Sequence, residues 1–185
     1  MSFVYDKNKI GKKIASGGDR KVFMYGPDHV IKISSVAFLI GRKLHNKLVH
    51  DYSVCKRYLP DFLVETVDVT PAHERAHVEI QPYVKGEMLQ KKHLGSSKVR
   101  RQLEQIISGV QKMVADGYPA IDLVGNGGVL TPCLSNIMVD SEGDLKVIDA
   151  TLLEGKTIRP IGILLDILTP LVEIRQRYIL KHFFA

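Results

Sequence analysis

Between Ile10 and Ile33, short β-branched runs (Lys13-Ile14-Ala15, Lys21-Val22-Phe23-Met24-Tyr25, Val30-Ile31-Lys32-Ile33) are separated by two turn clusters, Ser16-Gly17-Gly18-Asp19 and Gly26-Pro27-Asp28. Such punctuation predicts three antiparallel strands joined by tight turns. From Val36 to Tyr58 apolar residues recur at helical intervals (Phe38, Ile40, Leu44, Leu48, Tyr52, Cys55) before Pro60, which predicts one helix, broken near Gly41 if anywhere. Two more strands are expected over Phe62 to Val69 and Ala76 to Gln81, with Thr70-Pro71 between them. After Gly86 the character changes: Val99, Leu103, Ile106, Ile107, Val110, Met113 and Val114 line one face of a helix ending near Gly117. A loop with Gly125, Gly127 and Gly128 follows, then a hairpin from Ile137 to Ile148 turning at Asp140 to Asp144. A last helix should fill Ile161 to about His182, kinked or divided at Pro170.

Strands first and helices later make this an α+β chain, and 185 residues with 45% apolar and 25% charged composition suit one soluble domain of two lobes. The lobes should meet near residue 84, giving about 1–84 and 85–185 within a single domain. A chain of this size needs no metal or disulfide staple to fold, and Cys55 and Cys133 lack the spacing of a zinc site. The formal charge of +6 is compatible with nucleic acid, a membrane surface or a nucleotide triphosphate. Its basic residues are scattered in pairs and not interleaved with aromatics, so no nucleic-acid partner is expected. The first residues carry Asp6, Lys7, Lys9, Lys12 and Lys13, which argues against a signal peptide. The most apolar stretch, Ile161 to Ile174, contains Asp166 and Glu173 and falls short of the roughly 20 apolar residues of a membrane span.

Four features in chain order carry the chemistry. The glycine turn at Ser16-Gly17-Gly18 can merely close a hairpin, or its backbone amides can cradle phosphate. Lys32 interrupts an apolar run, so its ammonium must either reach outward to water or meet an anion. Asn136 and Asp149, thirteen residues apart (149 minus 136), flank the predicted hairpin and could present hard oxygen ligands to Mg2+, or simply cap turns.

In this order the residues resemble the protein-kinase-like fold over most of the chain. Ile14 to Phe23 looks like the glycine-rich loop, Val30-Ile31-Lys32-Ile33 like the nucleotide-binding lysine motif, and Gln81-Pro82-Tyr83-Val84-Lys85-Gly86-Glu87 like the hinge. Leu134-Ser135-Asn136-Ile137-Met138-Val139 resembles the end of the catalytic loop and Val147-Ile148-Asp149-Ala150 the metal-binding Asp-Phe-Gly position. The resemblance implies ATP and Mg2+ as cofactors. It makes Ser16, Gly17, Gly18 and Lys32 phosphate contacts, the main chain from Gln81 to Tyr83 the adenine contact, and Asn136 and Asp149 the metal ligands. The lysine's opposing helix acid falls to Asp51, since no Glu lies between Lys32 and Pro60.

Two departures stand out. The family's catalytic base would fall at Thr131, which cannot accept a proton at neutral pH, so Asp122 or Asp144 must substitute, or positioning and metal electrostatics must suffice, or the protein is inactive. Only 36 residues follow Asp149 (185 minus 149), too few for a large substrate lobe. That truncation resembles the minimal kinases that Gram-negative pathogens inject by type III secretion, the HopBF effector family in particular. The family implies a bacterial protein in the host cytosol that phosphorylates serine on the host's ninety-kilodalton heat-shock chaperone; a monomer is expected. Two alternatives stand beside the kinase: a small-molecule phosphotransferase, disfavoured by the few acids after Asp149, and a pseudokinase that binds nucleotide and docks on a partner.

Overall fold

The computed structural model describes residues 5–16, 20–34, 42–72, 76–125, 133–153 and 174–181. The chain divides into two compact units, one of Met1–His50 with Val64–Tyr83, the other of Asp51–Leu63 with Val84–Ala185.

The first unit is built on a five-stranded sheet. Its strands β1 (Ile10–Ser16), β2 (Arg20–Tyr25), β3 (His29–Ser34), β4 (Val67–Asp68) and β5 (His77–Pro82) lie in the order β1-β2-β3-β5-β4, each neighbouring pair antiparallel. The expected meander is therefore present. Tyr5, Ile31, Val69 and Val78 are buried together, with Phe23, Ile33 and Ile80 packed against them. Helix α1 (Arg42–Tyr58) opens in this unit, where Leu44 and Leu48 are buried, and from Asp51 it belongs to the other.

One expectation is corrected here. A strand was read from Phe62 to Val69, but only Val67–Asp68 pairs with β5. The N–H groups of Phe62 and Leu63 turn back to the Leu59 carbonyl at 3.2 and 2.9 Å, and Leu63 bridges to Val147 instead. An apolar run is split here between two cores, a division that hydrophobic patterning alone does not encode.

In the second unit, α2 (Ser97–Ala115) starts at Ser96, whose hydroxyl accepts the Val99 N–H at 3.4 Å, and buries Val99, Leu103, Ile106, Val110 and Met113. Each of these side chains contributes about 1.5–3 kcal/mol by leaving water. They pack in one cluster with Val54, Leu59, Leu89, Leu134, Ile137, Val147 and Ile179. A three-stranded antiparallel sheet orders β6 (Gly86–Gln90), β7 (Cys133–Asp140) and β8 (Leu145–Val147) side by side. Strand β6 is invisible to pattern reading because only Leu89 of its five residues is buried. Gly86 is required there, since a Cβ would run into the Val139 carbonyl across the pair. Residues 174–181 form the last described helix, α3; the rest of the expected helix from Ile161 and Pro170 lies outside the described residues. Among the described residues no helix is long and apolar enough to cross a membrane.

Candidate functional site

Two clusters of buried polar groups stand out, one in each unit. In the first, antiparallel pairing sets Lys32 of β3 opposite Glu79 of β5. Both side chains are buried, and the Lys32 Nζ lies 3.7 Å from Glu79 Oε1. The same oxygen accepts from Arg20 Nη1 at 3.2 Å, while Glu79 Oε2 faces His77 Nε2 at 3.1 Å. Burial alone would raise the Glu79 pKa. The charges of Arg20 and Lys32 and the hydrogen bond from His77 overcome it and hold the carboxyl well below the usual range. Of the two fates open to a lysine in an apolar strand, Lys32 takes the second: it stays inside and meets an anion. Neither Glu79 nor Arg20 is evident from sequence. The only signal is a charged residue inside an apolar strand, Val78-Glu79-Ile80, a pattern as common on half-exposed strands.

The second cluster surrounds Asn136. Across β6 and β7 the pairing jumps from Met88↔Met138 to Leu89↔Leu134, so β7 advances four residues while β6 advances one. Asn136 sits in that bulge, inside β7 and not ahead of the hairpin as expected. Bulges of this kind re-aim a side chain beside a site. The Asn136 Nδ2 donates to the Asp122 carbonyl at 2.7 Å, which fixes its amide orientation and leaves Oδ1 as an acceptor that could hold a cation. Its main-chain carbonyl accepts from Ile148 N at 2.9 Å, placing Asp149 one residue away. Asp149 Oδ1 in turn accepts from Thr151 N and Thr151 Oγ1 at 3.1 and 2.7 Å.

Asp122 completes this cluster. Its Oδ1 receives the N–H groups of Val124 and Gly125 at 3.1 and 2.8 Å. Burial, and after it the nearby Asp149 charge, nevertheless push its pKa above the ordinary value against those bonds. The backbone on either side is held by Gln176 of α3, which accepts from Leu123 N at 2.9 Å and donates to the Ile121 carbonyl at 3.1 Å. Arg175 Nη1 donates to the Gly125 carbonyl at 3.3 Å. Gly125 has φ +59°, and a Cβ there would stand 2.5 Å from Ser135 Oγ and 2.6 Å from Asn136 Oδ1, so only glycine fits. The other carboxylate considered for proton transfer, Asp144, is engaged elsewhere: its Oδ1 binds Lys98 Nζ at 2.8 Å and Gln102 Nε2 at 2.6 Å.

The remaining expected residues are placed as follows. Asp51 is buried in the second unit, where its Oδ2 accepts from Leu152 N at 3.1 Å and so ties α1 to the segment after Asp149. The neighbouring Cys55 Sγ reaches the Ala150 carbonyl at 3.5 Å. Ser16 ends β1 opposite Lys21. Gln81 is buried in β5, its Oε1 accepting from Thr66 Oγ1 at 3.4 Å. Tyr83 gives its main-chain N–H to the Asp28 carbonyl at 2.8 Å. Gly17, Gly18 and Thr131 lie outside the described residues.

No protein-family model matches the chain. No curated protein matches it either. Solved structures do. PpkA-294 in its apo form is similar with a TM-score of 0.55 at 16% identity, covering 88% of this chain and 64% of that one. The Mycobacterium tuberculosis PknI kinase domain gives a TM-score of 0.49 at 11% identity, covering 76% of this chain and 57% of that one. The chain thus spans less than two thirds of the length of either. At 16% identity the likeness to PpkA-294 speaks for architecture: the chain has a mixed α+β, kinase-like fold with an antiparallel N-terminal sheet and few helices among the described residues.

Proposed function

We propose that this protein is a Mg-ATP-dependent serine/threonine protein kinase whose proton acceptor is Asp122. The observation that carries the reading is the hydrogen bond from Asn136 Nδ2 to the Asp122 main-chain carbonyl, which sets a hard-oxygen ligand beside a residue whose own carboxyl has raised proton affinity and lies near Asp149. A base in phosphoryl transfer needs that proximity, and Asp144, neutralised by Lys98, does not have it. The gap left by Thr131 is thereby filled from nine residues upstream (131 minus 122).

The oxygen-rich donor set of Asn136 and Asp149 suits Mg2+, which when bound would neutralise charge on the phosphates. Lys32 takes phosphate oxygens, joined by the main chain of Ser16, Gly17 and Gly18. The resemblance gives the role of the lysine's helix acid to Asp51, but the carboxylate beside Lys32 in its own unit is Glu79. Because the Tyr83 N–H is committed to Asp28, recognition of adenine there falls to the Tyr83 carbonyl, which can accept from the exocyclic amine. By its resemblance to the HopBF effectors, the acceptor is a serine of the host's ninety-kilodalton heat-shock chaperone, and the chain acts inside the host cell.

The test is transfer of label from γ-labelled ATP to the purified chaperone in the presence of Mg2+. With Asp122→Asn, kcat should fall by roughly 10²–10⁴ while stabilisation by ATP persists. Equal turnover by the variant refutes the assignment of Asp122. Absence of turnover in both proteins, with ATP still raising the wild-type melting temperature, makes the chain a nucleotide-binding pseudokinase.

A further inference from the structure

Away from the residues assigned to ATP, the first unit gathers His45 of α1, Asp68 of β4 and His77 of β5. One ligand atom from each lies within 4.8 Å of those from the other two. The ring nitrogens His45 Nδ1 and His77 Nδ1 are 3.1 Å apart, with the rings edge to face. Asp68 turns an oxygen to each ring, Oδ2 to His45 Nε2 at 3.4 Å and Oδ1 to His77 Nδ1 at 3.9 Å.

The hydrogen-bonding role of each His77 nitrogen follows from the ring's other contact. Its Nε2 lies 3.1 Å from Glu79 Oε2, so Nε2 is the donor of that contact and Nδ1 presents a lone pair. Thr70 Oγ1 approaches that lone pair at 3.3 Å, but the Val78 carbonyl competes for its hydroxyl proton at the same distance. A ring nitrogen from each histidine and an Asp68 oxygen thus lie within 4.8 Å of one another, a spacing that one cation can share.

We propose that His45, Asp68 and His77 form a binding site for one divalent transition-metal ion of the zinc class. Two imidazoles and one carboxylate are a donor set that such ions favour, whereas Mg2+ and Ca2+ take oxygen ligands. The 3.1 Å between ring nitrogens approaches the edge of about 3.3–3.4 Å in a tetrahedron with 2.0–2.1 Å bonds, a small adjustment of the exposed Asp68 and half-buried His45. Glu79 behind His77 is the carboxylate that orients a metal-bound imidazole and strengthens it as a donor. Water would fill the remaining position. The three ligands come from α1, β4 and β5, so the ion would clamp the helix to the sheet.

The experiment is calorimetric titration of the untagged, chelator-stripped full chain with Zn2+ alone, at neutral pH. One equivalent should bind, and His45→Ala and Asp68→Asn, both changed at accessible side chains, should each weaken uptake at least tenfold. Zn2+ at a hundred times its Kd should raise the wild-type melting temperature by roughly 5–10 °C. Millimolar Mg2+ and the Asp149→Ala substitution should leave uptake unchanged. The proposal fails if wild type takes up no ion at tens of micromolar, in which case a proton on His45 bridges the cluster. It fails equally if both variants bind as wild type does, or if Mg2+ displaces the ion, since either result puts the zinc elsewhere.

Discussion

Gln176 offers the sharpest test of how the second unit holds Asp122. Its side chain is buried and spans the backbone on either side of that residue, accepting from Leu123 N and donating to the Ile121 carbonyl. Ile121 and Leu123 are themselves excluded from water, so no solvent can replace the amide. Gln176→Ala orphans one donor and one acceptor, each costing about 1–3 kcal/mol, so the expected loss is about 2–6 kcal/mol. Against a typical total of about 5–15 kcal/mol this is a large fraction. Urea unfolding followed by circular dichroism measures it, with Arg177→Ala on the exposed side of the same helix as the control, expected within about 0.5 kcal/mol of wild type. Gln176→Glu keeps the acceptor for Leu123 but sets a carboxylate against the Ile121 carbonyl, so it should be no more stable than Gln176→Ala by more than about 1–2 kcal/mol. A loss below about 1 kcal/mol for Gln176→Ala refutes the clamp.

Three further outcomes are expected. Glu79→Gln leaves Arg20 and Lys32 buried without their shared carboxylate and should cost about 3–5 kcal/mol in the same assay, the penalty for breaking a buried ion pair from one side. Gly125→Ala should lower label transfer at least tenfold, because its Cβ would displace the Asn136 amide; unchanged transfer contradicts the tight packing at that loop. Hydrogen bonds from Lys98 and then Gln102 hold the Asp144 pKa below its ordinary value, so its contribution is present above the unfolded pKa of about 3.9 and is lost as pH falls through the lower folded value. The melting-temperature difference between wild type and Asp144→Asn should therefore hold from pH 7 to about pH 5 and shrink from there to pH 2, and a difference independent of pH over that range counts against the ion pair.

The meander, α2 and the β7–β8 hairpin were legible in sequence because each is specified locally, by turn residues or by apolar spacing of three and four. The kinase-like fold followed from the order of those elements. What sequence withheld depends on partners far apart in the chain. Glu79 finds Arg20 from 59 residues away, and Leu123 finds Gln176 from 53. The bulge that carries Asn136 arises from a mismatch between β6 and β7, and β6 itself has too few buried residues to announce a strand. Asp122 and Asp144 look alike in sequence, and only the fold shows that Lys98 and Gln102 occupy Asp144.

The central claim, that these residues transfer phosphate, is tested most directly by incubating the purified protein with Mg2+ and γ-labelled ATP in a eukaryotic cytosolic extract, beside Asp149→Ala. The account predicts label on a discrete protein with wild type and none with the variant. Label of equal intensity with both proteins, or with neither, contradicts it.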